Sequence, residues 1–121
     1  MMNINNLSMQ IILHAGNAKG ILHEALEKTR TGNFSETDHL LKEASDELLK
    51  AHKVQTSFIQ EDAQEKLGVL PVILVHAQDH LMTVMSEKTL IEEMMYLYKR
   101  QDRLERMVEK WMATEEMEKF D

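Results

Sequence analysis

Apolar residues recur at three- and four-residue steps along most of the chain, a spacing that places side chains on one face of an α-helix. The first stretch predicts a helix over residues 7–30, which Gly32 ends. The second predicts a helix over residues 34–64, with Ser35 and Asp38 spaced as an N-terminal cap and its acidic partner. The apolar positions of these two helices are Ile11, Ala15, Ala18, Leu22, Ala25, Leu41, Ala44, Leu48, Ala51 and Phe58. Both helices are therefore predicted to be amphipathic.

A third helix is predicted over residues 71–100, because Gly68 can end the preceding helix and Pro71 suits the first helical position. Residues 101–121 continue the helical spacing, and no Gly or Pro separates them from that helix. An unbroken helix from Pro71 to the last residue would be about 70 Å long, which is longer than the other two helices can cover. This C-terminal tail is therefore expected to fold back or to meet another subunit.

The predicted fold class is all-α, an antiparallel up-down-up three-helix bundle with a C-terminal helical extension. Short connections favour antiparallel neighbours. A chain of 121 residues fits one domain, 1–121, and its 4 Gly and 1 Pro leave most of the length free to be helical. Three helices bury little surface alone, so assembly with further copies is a reasonable expectation.

Charge and composition exclude several classes of function. The formal net charge of -7 disfavours binding to nucleic acid or to an anionic membrane surface. The absence of Cys excludes disulfide and thiol chemistry and fits a reducing compartment. The longest apolar runs, within residues 9–15 and 69–75, fall far short of the roughly 18 residues of a membrane span, and the N-terminus lacks the basic start of a signal peptide. We therefore expect a cytoplasmic protein without direct membrane insertion.

Two glycines inside the first predicted helix, Gly16 and Gly20, require a reason, because each costs about 1 kcal/mol relative to Ala. One reason is close packing against another helix, or a kink. The other is a backbone opening beside a site. The sequence favours neither.

Candidate chemistry is concentrated in residues 72–83, where polar side chains interrupt an apolar run. Helical spacing places His76 and His80 four positions apart and Asp79 three from His76, so the three project to neighbouring positions. Asp79 is also in line with apolar residues such as Val75. A carboxylate on an apolar stripe is costly to bury unless it is paired, protonated or bound to a cation.

Three interpretations of this cluster remain open on the residues alone. The histidines can be ordinary, partly exposed helix residues, with Asp79 satisfied by a neighbouring donor. Two His and one carboxylate can also bind zinc or a similar ion. Finally, a neutral imidazole can accept and release a phosphoryl group while a neighbouring His donates a hydrogen bond to the phosphate oxygens. The remaining helical histidines, to which we assign no role, are His14, His23, His39 and His52.

Three segments carry a resemblance to a known family. They are LVHAQDHLMT at 74–83, ILHAGNA at 12–18 and LYKR at 97–100. In order and spacing they resemble the enzyme IIA component of the lactose/cellobiose (and diacetylchitobiose) family of the phosphoenolpyruvate-dependent sugar phosphotransferase system. The resemblance covers roughly residues 9–100. The tail beyond it is a departure from the family pattern.

The resemblance implies a homotrimer of three-helix subunits that carries phosphate. In proteins of this kind the histidine corresponding to His76 receives a phosphoryl group from the phosphocarrier HPr and passes it to a cysteine of the partner IIB. The aspartate corresponding to Asp79 lies near the threefold axis around a shared metal ion, typically Mg²⁺. His80 and Gln78 also match the motif. By geometry they would donate a hydrogen bond to the phosphate and help to orient the imidazole, respectively.

Two alternatives of other kinds remain. One is a helical regulatory or interaction module that keeps the fold without transferring phosphate. The other is a metal-dependent hydrolase built on His76, Asp79 and His80, which would bind zinc within a single subunit. The transported sugar is expected to be a β-linked disaccharide of the cellobiose, lactose or diacetylchitobiose type, among which this chain does not discriminate.

Overall fold

The structure is a computed structural model that describes residues 3–65 and 71–120, with side chains for all of these except 61–65 and 119–120. Three helices account for the regular structure of these residues: α1 (Ile4–Arg30), α2 (Thr37–Glu65) and α3 (Val72–Phe120). The predicted all-α, three-helix class is confirmed. The segment that contains Gly68, predicted to end the second helix, lies outside the described residues.

The helices α1 and α2 do not begin at the predicted residues. Hydrogen bonds of polar side chains near each helix start differ from those expected, and the spacing of apolar residues carries no information about them. α1 begins three residues earlier, since the Oδ1 atom of Asn3 accepts a hydrogen bond from the backbone N of Asn6 at 3.1 Å. α2 begins three residues later, at Thr37, whose hydroxyl donates to the carbonyl of Phe34 at 2.9 Å. Ser35 does not cap this helix, because its hydroxyl hydrogen-bonds to the Asn33 side chain at 3.0 Å.

The end of α1 is the one that the sequence predicts. Gly32 has φ +83, the left-handed conformation that glycine adopts without a Cβ penalty. Its N–H donates to the carbonyl of Thr29 at 3.1 Å, and the N–H of Asn33 donates to the carbonyl of Lys28 at 2.8 Å. This pair of bonds is the Schellman arrangement, which satisfies the last carbonyls of a helix.

The helix α1 packs between the other two helices, and α2 and α3 touch each other at only a few places. His14 of α1 pairs with Glu47 of α2, and His23 of α1 pairs with Glu87 of α3. Near its C-terminal end α1 reaches the start of α2 through Lys28 and Glu36, so α1 and α2 are antiparallel. Gly16 lies near His80 and Gly32 near Asp102, so α3 runs parallel to α1 and the up-down-up order is the one observed.

The core is formed by alanines and branched aliphatic side chains on facing stripes. Small residues on α1 and α2 allow close approach of the two helices. Leu40 occupies the buried position predicted for Leu41, which is half-buried. The buried apolar residues are Ile11, Ala15, Ala18, Leu22, Ala25, Leu40, Ala44, Leu48, Ala51, Phe58, Leu74, Ala77, Leu81, Val84, Ile91 and Met95.

The predicted C-terminal tail is a continuation of α3 and does not fold back. Pro71 precedes the helix, and its carbonyl accepts the first helical hydrogen bond, from the N–H of Val75 at 3.3 Å. Asp102 reaches the α1–α2 turn, where a methyl group at Gly32 would lie 4.0 Å from its Oδ1 atom. Every side chain of residues 103–118 is exposed. This segment, which we call the overhang, is about 24 Å long.

The face of α3 turned away from the core is exposed along its whole length, although much of it is apolar. We call this line of residues the α3 outer face. It consists of Val72, Val75, Asp79, Met82, Ser86, Leu90, Glu93 and Leu97. Within the described residues, no helix has an apolar stretch long enough to cross a bilayer.

Candidate functional site

The two histidines of α3 lie side by side on one flank of the helix. The rings of His76 and His80 are nearly parallel, with an interplanar angle of 10° and centroids 6.2 Å apart. Their four-residue spacing produces this arrangement, because residues i and i+4 stand one above the other on a helix. His76 is exposed and His80 is half-buried. In the described part of the chain no hydrogen-bonding side chain engages His76, so its ring is open to a partner molecule.

Gly16 of α1 lies opposite His80. A methyl group on Gly16 would lie 4.0 Å from Nε2 of His80, and apart from the adjoining backbone of α1 no other heavy atom would lie within 4 Å. Around Gly20 nothing would lie within 4 Å of an added methyl group. Close packing therefore does not explain either glycine. A backbone opening beside a site, the other predicted reason, has a neighbouring site residue only at Gly16, which faces the His80 ring.

Asp79 lies beside the histidine pair on the neighbouring face of α3, whereas Gln78 points away from it. Asp79 is exposed on the α3 outer face, in line with the exposed Val75 and Met82. Gln78 is two positions from His76, about 200° around the helix, and therefore lies on the opposite flank. The structure thus brings together His76 and His80 within one chain and does not bring Gln78 to them.

A metal site within one chain is not supported. Among the residues whose side chains are described, no three His, Asp or Glu come close enough to hold a metal ion. The metal-dependent hydrolase built on His76, Asp79 and His80 therefore lacks a ligand set. Mg²⁺ takes about six oxygen ligands, of which one exposed carboxylate supplies one or two. A cation at Asp79 would therefore require carboxylates from other copies of the chain or water ligands.

A polar cluster between α1 and α2 was not anticipated from the sequence. Nδ1 of His14 lies 2.7 Å from Oε2 of Glu47, and the same carboxylate accepts from Nδ2 of Asn17 at 3.5 Å and from Nζ of Lys50 at 3.3 Å. The hydrogen bond from His14 is the main reason that the pKa of Glu47 is lowered from its ordinary value. The cluster therefore joins the two helices through a stabilised carboxylate.

A second cluster joins α1 to α3. Nε2 of His23 lies 3.2 Å from Oε2 of Glu87, and Nζ of Lys19 lies 3.4 Å from the other oxygen of that carboxylate. The sequence offers no signal for either cluster. Their partners are far apart along the chain, and helical periodicity relates only residues of the same helix.

The chemistry open to this arrangement is nucleophilic. An exposed neutral imidazole can attack phosphorus directly, and a second imidazole beside it can donate a hydrogen bond to the transferred group. Phosphoryl transfer depends mainly on positioning and charge stabilisation, so no separate acid and base are needed. A shallow, exposed site of this kind suits transfer between proteins.

Comparisons with known proteins agree with this geometry. Residues 6–99 match the family described as "PTS system, Lactose/Cellobiose specific IIA subunit". The chain is 37% identical over 97 residues to the lichenan-specific phosphotransferase enzyme IIA component of Bacillus subtilis, covering 80% of this chain and 88% of that one.

Solved structures are similar over the same part of the chain. The cellobiose-specific enzyme IIA of Bacillus anthracis superposes with a TM-score of 0.80 and 35% identity, covering 85% of this chain and 94% of that one. The IIA(Chitobiose) of Escherichia coli, solved in complex with HPr, gives a TM-score of 0.74 and 31% identity, covering 84% of this chain and 99% of that one.

Proposed function

Since the chain belongs to the family of lactose/cellobiose-specific IIA subunits of the sugar phosphotransferase system, we propose that it is a cytoplasmic phosphoryl carrier that forms a phosphohistidine at His76. The observation that carries this proposal is the exposed His76 ring with the parallel ring of His80 beside it, 6.2 Å between centroids. HPr is the donor, as the HPr complex of the similar Escherichia coli IIA suggests. A cysteine of a IIB protein is the acceptor.

The two transfers balance as follows. A ring nitrogen of His76 attacks the phosphorus carried by HPr, a phosphorus–nitrogen bond forms on His76, and the corresponding bond on the HPr histidine breaks. The thiolate of IIB then attacks the same phosphorus, so a phosphorus–sulfur bond forms and His76 leaves as a neutral imidazole. No redox change or water is involved. The absence of Cys from this chain is compatible with the acceptor thiol belonging to the partner.

His80 and Gln78 serve as supporting groups. A hydrogen bond of about 2.8 Å from the His80 ring to a phosphoryl oxygen would span part of the gap between the two rings. Gln78 occupies the other flank of α3, so in a symmetric assembly around the α3 outer face it would reach the His76 flank of a neighbouring copy. We assign it the orientation of that neighbour's imidazole.

We propose further that three copies of the chain assemble around the α3 outer face with Asp79 nearest the axis, where the three carboxylates would hold one Mg²⁺ that offsets their mutual repulsion. The support for this part is the exposure of Val75 and Met82 on either side of Asp79, which leaves apolar surface for a partner to cover. Three like charges close together need a cation or must take up protons.

The sugar does not contact this chain. The similar proteins are named for lichenan, cellobiose and chitobiose, which points to β-linked saccharides as the transported class. We propose a β-linked disaccharide of the cellobiose, lactose or diacetylchitobiose type, recognised by the membrane component of the same system.

The test is phosphorylation by phosphoenolpyruvate, enzyme I and HPr. The wild-type chain should acquire one acid-labile, base-stable phosphate, and His76→Ala should abolish it while the helical circular dichroism stays unchanged. His39→Ala, at an exposed histidine of α2, is the matched control and should be labelled like the wild type.

Two outcomes would contradict the proposal. Persistent labelling of the His76→Ala variant would move the site to another residue. No label on the wild-type chain, under conditions in which HPr itself is labelled, would favour a regulatory module that keeps the fold without carrying phosphate.

A further inference from the structure

One side of α3 carries a line of basic side chains where the helix leaves the bundle. The members of this line follow each other at steps of four, three and four residues, so they share one face of the helix. We call the line the basic stripe, and it consists of Lys99, Arg103, Arg106 and Lys110. Lys99 is half-buried and the other three are exposed. This local excess of positive charge contrasts with the formal net charge of -7 of the whole chain.

The acidic residues of the same segment form a separate line. Asp102, Glu105 and Glu109 follow each other at steps of three and four, about 100° around the helix from the basic stripe. Within the described residues, Arg106 is the member of the stripe that pairs with a carboxylate, its Nε atom lying 3.0 Å from Oδ2 of Asp102. An exposed ion pair of this kind is weak, so the positive charge of the stripe stays available to a partner.

A cavity of about 450 Å³ lies where the basic stripe meets the start of α2. One wall is the half-buried ring of Phe34, and Nζ of Lys99 lies 5.9 Å from the centroid of that ring. The lining residues, three cations and two carboxylates besides the phenyl ring, are Phe34, Asp38, Lys99, Asp102, Arg103 and Arg106. The cavity is large enough for an aromatic side chain, and guanidinium groups stack well on aromatic rings.

We propose that the basic stripe and this cavity form a docking surface for an acidic segment of a partner protein, with an aromatic side chain of that segment seated in the cavity. From Lys99 to Lys110 the stripe is about 16 Å long, a distance that an extended peptide of about five residues spans. The carboxylates of such a segment meet the cations of the stripe, and the segment is narrow enough to avoid the acidic line.

Two other classes of anionic partner fit this surface less well. An anionic membrane is broad, so it would also meet the acidic line of α3, which repels it. Most of a nucleic acid would extend beyond the stripe and would face a chain of net charge -7. Charge complementarity over a short distance therefore favours a protein segment.

This inference goes beyond the proposed function, because the family match ends at residue 99 and the other members of the stripe lie after it. The stripe is distant from the phosphorylation site, since Lys99 lies roughly 35 Å from His76 along α3. It is also turned away from the α3 outer face, so association of copies around that face would leave it exposed. Its test needs no phosphoryl donor, so failure of the docking surface and failure of the carrier proposal are distinguishable.

Binding of a defined acidic peptide tests the charge of the stripe. The probe is a fluorescein-labelled peptide of one Phe followed by five Glu, and its fluorescence anisotropy is measured with the full-length protein at low salt. Arg103→Glu should bind this peptide about tenfold more weakly than the wild type. Lys53→Glu, an equal change of charge at an exposed position of α2, should bind it within about twofold of the wild type. Equal affinity of all three proteins, or no binding to the wild type, overturns the proposal.

A second peptide, in which Ser replaces the Phe, tests the cavity. The wild type should bind it severalfold more weakly than the first peptide, whereas Phe34→Ala should bind the two peptides alike. Circular dichroism verifies that this variant is folded. Equal binding of both peptides by the wild type overturns the seating of an aromatic side chain in the cavity.

Competition identifies the class of partner. Phosphatidylserine vesicles and single-stranded DNA, each at the same concentration of negative charge as the unlabelled first peptide, should displace the labelled peptide severalfold less effectively. Equal displacement by either competitor overturns the proposal, because a surface that binds any polyanion is not selective for a protein segment.

Discussion

At the scale of single residues, His76 and His80 divide two tasks between rings of the same kind. His76 is exposed and can meet a partner protein, whereas His80 is half-buried beside Gly16 and has less freedom to move. The exposed ring is suited to forming the bond to phosphorus. The more confined ring is suited to holding a hydrogen bond in a fixed direction.

Replacement of His80 by Ala should slow the phosphorylation of His76 without abolishing it. The lost hydrogen bond to the transferred group corresponds to a rate reduction of about 100-fold, the lower end of the range for single donors to a developing charge. Rapid-quench labelling by phosphorylated HPr measures this rate. His23→Ala, on α1 and paired with Glu87, is the control and should transfer at the wild-type rate. An unchanged rate for His80→Ala would remove His80 from the site.

Part of the free energy of unfolding should depend on the charge of Glu47 and should be lost in acid. Because the hydrogen bond from His14 lowers the pKa of Glu47, the carboxylate stabilises the fold above its unfolded-state pKa, about 4.3. That contribution is lost as the pH falls through the lower folded-state pKa. Glu47→Gln should therefore reduce the free energy of unfolding by about 1 kcal/mol at neutral pH and by much less at pH 3.

Urea unfolding at matched protein concentration measures the effect of Glu47→Gln. The control is Glu43→Gln, at an exposed position on the same helix, which should leave the free energy of unfolding nearly unchanged at both pH values. A loss of equal size at neutral and acid pH would show that the Glu47 charge does not matter.

The relation of His76, His80 and Asp79 could be predicted from the sequence, because residues three and four apart on a helix have a fixed geometry. The pairing of His14 with Glu47 could not. The pairing depends on how far α1 and α2 are shifted along each other, and the apolar stripes define that shift only to within about one helical turn. Gly16 is an intermediate case. Its presence in a helix indicated a special position, and only the packing of α1 on α3 showed that His80 lies opposite.

At the scale of the helices, the ends show what a hydrophobic pattern can and cannot predict. The end of α1 was predicted because Gly32 is a local signal with one common structural meaning. The start of α2 was misplaced because Ser35 has the spacing of an N-terminal cap, whereas its hydroxyl hydrogen-bonds to the Asn33 side chain instead. Which partner a serine hydroxyl takes depends on the backbone geometry of the turn. The third helix was predicted to end at residue 100 and its tail to fold back or meet another subunit, whereas α3 is one continuous helix, as the absence of any Gly or Pro between residues 72 and 121 allows.

One substitution should have opposite effects at two glycines. Gly32→Ala should lower the free energy of unfolding by about 1 kcal/mol, because Gly32 has φ +83 and an alanine is strained there. Gly20→Ala should raise it by up to about 1 kcal/mol, because Gly20 is helical and the added methyl group meets nothing within 4 Å. Chemical unfolding of both variants measures the two changes. Changes of the same sign would contradict the backbone assignment of one of the two glycines.

At the scale of the whole molecule, the three helices leave one long surface uncovered. The α3 outer face continues into the overhang, and α2 and α3 meet at only a few places. A single chain therefore exposes a long apolar surface, and exposed apolar patches of this kind are typical of interaction sites. The fold could be predicted from the sequence, whereas the direction in which the tail leaves the bundle required the structure.

Asp79→Leu tests the proposed assembly at its centre. It replaces clustered negative charge by apolar contact, so the variant should remain trimeric or become more stable, and it should lose any dependence on Mg²⁺. Sedimentation equilibrium with and without a chelator measures both properties. Glu93→Leu, also on the α3 outer face, shows how much of the gain comes from added apolar area alone. Dissociation of the Asp79→Leu variant into monomers would place Asp79 away from the axis.

Because α1 lies between α2 and α3, it also determines the order in which the helices can pack while the chain is being synthesised. A nascent chain can close the α1–α2 hairpin while α3 is still inside the ribosome, because those two helices are neighbours in sequence. The imidazole of His80 comes to lie beside Gly16 only after α3 has left the ribosome and packed against the α1–α2 hairpin. The surface that would receive phosphate is thus completed last, so an unfinished chain would not yet present it to a donor.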